Sequence, residues 1–171
     1  MKIYIIVATD KNFGIGKEGT LPWQLTKEMR YFRKKTTETV DESKENMLIM
    51  GRTTWESIPE KYRPLIDRRN VVLTTKKNYK GKGAHIAHSF KDALKLVDKD
   101  IETVFIIGGS SVYYDIIDDP ALTGIYLTRI LDCYDCDTFF PEIPKEFYKI
   151  TEIKEEEEGG VEFKYFLYEK E

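Results

Sequence analysis

The chain has 171 residues, with 27 Lys+Arg against 30 Asp+Glu and a formal net charge of −3. Domains commonly run about 100–200 residues, so a single domain over residues 1–171 is expected, with a core large enough to need no staples. The mildly acidic balance excludes a basic nucleic-acid footprint, the longest apolar runs are too short to cross a bilayer, and two cysteines make no disulfide framework. Met1-Lys2 leads straight into strand-like sequence without a signal-peptide apolar region, so a cytoplasmic location is expected.

Lys2–Ala8 is nearly continuous in apolar, β-prone residues, the pattern of a central strand covered on both faces. A polar, glycine-bearing loop follows over Thr9–Trp23, long enough to be functional. Leu25–Lys35 carries helical periodicity, and Asp41–Asn46 reads as a solvated loop. Short apolar runs at Met47–Met50, Val71–Leu73 and Val104–Ile107 read as further strands. Between them Ser89 is placed to cap a helix whose face is Ala93, Leu94 and Val97. Strands alternating with helices predict an α/β domain with a largely parallel sheet. Near the end, Ile125–Thr128 reads as a strand, and Phe147–Ile153 and Val161–Tyr168 flank Gly159-Gly160 as an edge hairpin. The acidic run Glu155–Glu158 reads as a solvated loop beside that turn, surface charge and not an acidic tail.

Two motif matches are set aside. Gly14-Ile15-Gly16-Lys17-Glu18-Gly19 matches GxGxxG, but it does not join a strand directly to a helix, as a dinucleotide fingerprint must. Cys133 and Cys136 with His85 and His88 mimic a zinc quartet. A strand at His85–His88 would point the two imidazoles to opposite faces, and Asp132, Asp135 and Asp137 should raise the thiol pKa values.

Four features carry chemistry. On a wheel of ~100° per residue, Glu28 falls inside the stripe of Leu25, Met29, Tyr31 and Phe32, with Lys35 the only other charge nearby. A carboxylate there must be paired, protonated or used, and burial would raise its pKa toward neutrality. An edge glutamate meeting a buried arginine explains that placement equally well. Met50-Gly51-Arg52-Thr53-Thr54 and Ile107-Gly108-Gly109-Ser110-Ser111 are glycine turns between strand and helix, suited to an anion. Thr74-Thr75-Lys76-Lys77 ends a strand with hydroxyls and cations where a diol-binding acid would stand, which favours a 2′-phosphate and hence NADPH over NADH.

These residues resemble the dihydrofolate reductase family, in order and through nearly the whole chain. The resemblance runs from Ile6-Val7-Ala8 through Gly14-Ile15-Gly16, Leu21-Pro22-Trp23, Glu28 with Tyr31-Phe32, and Met50–Ile58. It continues through Arg63-Pro64-Leu65, Arg68-Arg69-Asn70, Ile107-Gly108-Gly109, Tyr113, Tyr126–Thr128 and Asp137–Pro141. It implies a mostly parallel eight-stranded central sheet flanked by helices, and NADPH-dependent reduction of 7,8-dihydrofolate to tetrahydrofolate for one-carbon metabolism. Hydride transfer to C6 and water-assisted protonation of N5 are the implied steps. It further implies binding of antifolate inhibitors, and a monomer is expected, with neither nucleic acid nor membrane as partner.

By the same resemblance Glu28 is the acid that bonds the pterin ring, Thr128 supports it, and Trp23 closes over the site. Ile6, Val7, Ala8, Phe32, Ser57, Ile58, Leu65, Ile107 and Tyr113 would surround the substrate, and Arg68 would grip its glutamate-tail carboxylate. Cofactor contacts would come from Ala8, Ile15, Gly16, Gly19, Thr20 and Leu21 at the loop, and from Arg52, Thr53 and Thr54. Leu73, Thr74, Thr75 and Lys76, then Ile107, Gly108, Gly109, Ser110, Ser111, Val112 and Tyr113, complete that set. The segment Ile58–Leu65 resembles longer, eukaryote-like members, and the length leaves no room for the thymidylate synthase domain to which some members are fused. A related reductase of riboflavin synthesis would have no reason for the Glu28, Phe32 and Arg68 set. A non-catalytic nucleotide-binding module need not keep Glu28, Trp23 and Thr128 together.

Overall fold

In the computed structural model, which describes residues 1–170, strand β1 (Lys2–Thr9) and the short β2 (Gly14–Gly16) precede helix α1 (Thr26–Thr37) and strand β3 (Glu45–Gly51). Helix α2 (Arg52–Ser57), β4 (Arg68–Leu73), β5 (His85–Ala87), α3 (Phe90–Leu94) and β6 (Ile101–Ile106) follow. Then come α4 (Ser110–Ile116), β7 (Gly124–Ile130), β8 (Thr138–Phe139), β9 (Lys149–Glu158) and β10 (Val161–Glu169). Eight strands form one sheet in the order β5-β4-β3-β6-β1-β7-β10-β9, and β2 pairs separately with β8. Every neighbouring pair from β5 to β7 is parallel, and β10 runs antiparallel to both β7 and β9. The expected mostly parallel, eight-stranded α/β sheet with a C-terminal hairpin is therefore present.

The near-continuous apolar strands are explained by burial on both faces. Ile3, Ile5 and Val7 of β1 pack on one face with Met47, Ile49, Val104, Ile106, Ile125 and Leu127. Tyr4 and Ile6 pack on the other with Leu48, Met50, Val72 and Phe105. With successive side chains pointing to opposite faces, a strand covered on both sides cannot alternate apolar with polar.

Several boundaries differ from the sequence reading. Met29, expected on the apolar stripe, is 53% exposed, because the apolar face of α1 is narrower than its periodicity implied. The expected Asp41–Asn46 loop ends two residues early. Asn46 is buried in β3, where its amide donates to the Thr36 and Glu38 carbonyls at 3.0 and 2.9 Å and its oxygen accepts from Thr103 N–H at 3.2 Å. One polar side chain thus ties the end of α1 to the sheet. Ser89 does cap α3, accepting from Asp92 N–H at 3.0 Å, but the helix ends at Leu94, short of Val97. Glu155–Glu158 is strand and not loop, paired opposite Lys164–Val161, and Phe147 precedes the strand it was expected to begin. None of the helices is long and apolar enough to cross a membrane among the described residues.

Candidate active site

The carboxyl ends of the parallel strands converge beside β1. Register sets Ala8 opposite Thr128 and Gly51 opposite Leu73, so residues far apart in sequence meet along one rim. In open α/β sheets this rim is where ligands bind.

Glu28 projects from the first turn of α1 and is 6% exposed. It makes no ion pair among the described residues, and the arginine that could have explained its placement is absent from its contacts. Its side-chain partner is the Thr128 hydroxyl of β7, which donates to Oε1 at 3.3 Å. Burial pushes the Glu28 carboxyl up to about 7, opposed only in part by that hydroxyl. Near neutral pH the group is therefore divided between acid and carboxylate, able either to donate or to accept a proton.

Beside this acid, Ile6, Phe32, Ile58, Leu65 and Ile107 belong to one apolar cluster with Trp55 on the α1 face of the sheet. Three residues expected around the substrate, Val7, Ser57 and Tyr113, lie elsewhere. Val7 points its side chain to the opposite face, and Ser57 is exposed, its hydroxyl donating to the Thr54 carbonyl at 2.6 Å. Tyr113 is buried on that opposite face, and its hydroxyl donates to the Ile6 carbonyl at 3.1 Å, fixing the β1 backbone next to the acid. Trp23 is buried with Leu25, Tyr31, Tyr134 and Tyr165, and its indole N–H has no partner among the described residues.

Across the rim, the two glycine turns abut. Gly51 N–H donates to the Gly108 carbonyl at 2.8 Å. A Cβ on Gly109 would stand 3.1 Å from Thr54 Oγ1, and one on Gly51 would stand 3.1 Å from Val112 Cγ2. Gly108 has φ of +122°, a conformation that glycine alone adopts readily. Bare backbone here is bordered by Ser110 and the exposed Ser111, with Arg52, Thr53 and Thr54 opposite. Arg52 already pairs with Glu56 at 2.9 Å, so it can share only part of its guanidinium. Beyond β4, Thr74 is buried and receives Lys76 N–H at 3.2 Å, while Thr75 and Lys76 are exposed. No carboxylate occurs in the sequence between Asp67 and Asp92. Bare backbone flanked by hydroxyls and cations fits the phosphates of a dinucleotide.

A family model described as dihydrofolate reductase matches residues 2–170. The chain belongs to the dihydrofolate reductase family. The rat (Rattus norvegicus) dihydrofolate reductase is 44% identical, covering 96% of this chain and 95% of the rat protein. That of the pig (Sus scrofa) is 46% identical over 96% of each chain. The Drosophila melanogaster dihydrofolate reductase is 37% identical over 99% of this chain and 98% of its own.

Within this dihydrofolate reductase scaffold the two neighbouring arginines separate cleanly. Arg69 turns to the α3 side and pairs with Glu45 and Asp98 at 3.0 and 2.8 Å. Arg68 is buried and makes no ion pair among the described residues. Its Nη1 donates to Thr36 Oγ1 at 2.8 Å and its Nε to the Ile66 carbonyl at 2.9 Å. Burial, with the charge of Arg33, lowers its pKa to about 10, which still leaves it cationic at neutral pH. Thr36 was missed as a site residue, although it lies ~80° from Glu28 on the helical wheel, inside the same stripe.

Asp10 was missed too. Its buried carboxylate accepts from Asn12 N–H at 2.9 Å, Gly14 N–H at 2.8 Å and Tyr134 N–H at 2.9 Å, joining the glycine loop to the segment before β8. The expected rise holds for the Cys136 thiol, and Asp137 is a smaller part of it than the sequence implied. For Cys136 burial comes first and Asp10, 3.8 Å away, second. Asp10→Ala should destabilise the fold by roughly 2–3 kcal/mol, because one buried and two partly buried N–H groups lose their acceptor. A urea midpoint unchanged from wild type would contradict this. His88, one member of the apparent zinc quartet, bonds through Nδ1 to the Thr74 carbonyl at 2.7 Å.

Proposed function

We propose that this dihydrofolate reductase family member reduces 7,8-dihydrofolate to 5,6,7,8-tetrahydrofolate with NADPH. The observation that carries the reading is Glu28: a carboxyl group buried at an apolar wall, partnered by a neutral hydroxyl and balanced between its two protonation states. Bound NADPH would supply a hydride from nicotinamide C4 to pterin C6, and a proton added at N5 completes the reduction.

The protein's part is binding, orientation and proton control. Glu28 accepts hydrogen bonds from the N–H donors of a pterin edge, with the Thr128 hydroxyl holding its other side. Ile6, Phe32, Ile58, Leu65 and Ile107 supply the apolar walls for the ring systems. The N5 proton comes from water, which the Glu28-bound, polarised pterin is better able to capture. The Thr9–Trp23 loop shields the reacting face from bulk water, and the buried indole N–H of Trp23 offers a donor inside it. The glycine turns, Ser110, Ser111, Thr53 and Thr54 hold the diphosphate and ribose, and Thr74, Thr75 and Lys76 hold a 2′-phosphate. Arg68 grips the α-carboxylate of the glutamate tail.

The test is loss of NADPH absorbance when dihydrofolate is added to purified protein. Rapid loss that requires both ligands and is abolished by methotrexate is expected. NADPH binding without turnover would retain the cofactor site and overturn the substrate.

A further inference from the structure

Helix α1 starts without a cap of its own, since Leu25 at the N-cap position has no oxygen to offer the first N–H groups. The cap arrives from the other end of the chain. Glu158, the last residue of β9, accepts from Thr26 N–H at 2.8 Å through one carboxylate oxygen and from Lys27 N–H at 2.9 Å through the other. Lys27 Nζ in turn donates to the Glu157 carbonyl at 2.8 Å. The hairpin turn sets this reach. Gly159 and Gly160 have φ of 57° and 82°, the pair of positive values that a type I′ turn requires, and Glu158 and Val161 close it as a pair. The two backbone bonds, with Lys27 and Arg30 nearby, hold the Glu158 carboxyl below the ordinary range, so it is charged at neutral pH.

Glu28 stands in the same first turn, directly after Lys27. An open helix N-terminus carries about half a positive charge, which favours ionised acids in that turn. A full negative charge bound to the helix end opposes this. We propose that Glu158 is a positioning residue for the site: its carboxylate, capping α1 from the hairpin, fixes the turn that carries Glu28 and offsets the positive helix end beside that acid. The groups facing Glu28 from the surrounding elements are neutral near pH 7. They are Thr128 of β7 and three phenols raised by burial, Tyr31 of α1, Tyr113 of α4 and Tyr165 of β10. One layer further out, Lys154 lies over the Tyr31 and Tyr165 rings and is matched by Glu156 at 3.1 Å. Glu158 is thus the charge bound directly to the turn that carries the acid.

The proposal rests on reading Glu28 as the site acid, and its test separates the two. Glu158→Gln keeps the side-chain length and an acceptor oxygen but removes the charge. In protein labelled with ¹³C-glutamate, with the Glu28 signal identified by its loss in Glu28→Gln, the Glu28 midpoint is expected to fall by about 0.2–0.7 of a pH unit in Glu158→Gln. The pH profile of turnover should move in the same direction. Because Glu158 is at the surface, going from about 10 mM to about 1 M salt should lower the Glu28 midpoint in wild type toward the variant's value and change the variant little. A Glu28 midpoint that stays in place while the melting temperature falls would overturn the proposal and reduce Glu158 to a helix cap. Equal salt responses in both proteins would overturn it as well. An absence of dihydrofolate turnover would defeat the catalytic reading while the carboxyl titration still decides the role of Glu158.

Discussion

Glu28→Gln is expected to lower kcat/KM for dihydrofolate at pH 7 by about 10²-fold or more while making the folded protein more stable above pH 7. The loss follows from exchanging an acceptor carboxylate for an amide that cannot take the pterin's donors on both oxygens. Activity should recover in part at low pH, where protonation of the substrate in solution replaces the role of the acid. The stability gain follows from linkage. The Glu28 carboxyl is raised from 4.5 to about 7 in the folded protein, so between those values the native state binds more protons than the unfolded chain. Stability therefore falls as pH rises through this window, by roughly 3 kcal/mol in total. The glutamine variant carries no such penalty. Its advantage over wild type should be absent at pH 4, grow between pH 4.5 and 7, and then level off. Urea unfolding of both proteins across pH 4–8 measures this directly. A constant difference across that range would show that Glu28 does not titrate abnormally.

Arg68→Leu is expected to lower kcat/KM for dihydrofolate on the order of 10²–10³-fold, mainly through KM, and to leave dihydropteroate, which lacks the glutamate tail, nearly unaffected. The guanidinium is buried without an ion pair among the described residues, and the acceptors it does hold, Thr36 Oγ1 and the Ile66 carbonyl, are neutral. The Thr36 hydroxyl is itself aimed, since its proton goes to the Phe32 carbonyl at 2.7 Å and leaves a lone pair for Arg68. A cation so placed gains most from an incoming carboxylate, so its removal should be felt only by substrates that bring one. Equal losses on both substrates would show that Arg68 supports the fold and does not read the tail. Arg69, committed to Glu45 and Asp98, should cost stability and not tail recognition when replaced.

The sequence was most legible where the chemistry is local. The periodicity of Leu25–Lys35 placed Glu28 on an apolar stripe, and the buried acid is where that stripe meets the sheet. Glycine at strand-to-helix junctions announced turns with bare backbone, and both turns have that form. Met29 was misread because amphipathic spacing gives the direction of a face but not its width, which depends on how far the sheet extends beneath the helix. Glu155–Glu158 was misread for a related reason. A run of acids reads as a solvated loop, and nothing in it discloses a strand paired with β10, or that its last residue reaches a helix more than a hundred positions away.

The sequence by itself determined the alternation of strands and helices, the two glycine turns, the buried acid and the family to which the chain belongs. These depend on residue type and near-neighbour spacing, quantities a linear chain carries in full. Only the tertiary structure showed how two adjacent arginines part, Arg69 to Glu45 and Asp98 and Arg68 to Thr36 of α1, because side chains one position apart on a strand point to opposite faces. It alone also brought Thr128 to Glu28, Asp10 to the segment before β8, and Glu158 to the start of α1. Each of these is a hydrogen bond between residues roughly a hundred or more positions apart, and only the closed sheet brings such partners within reach.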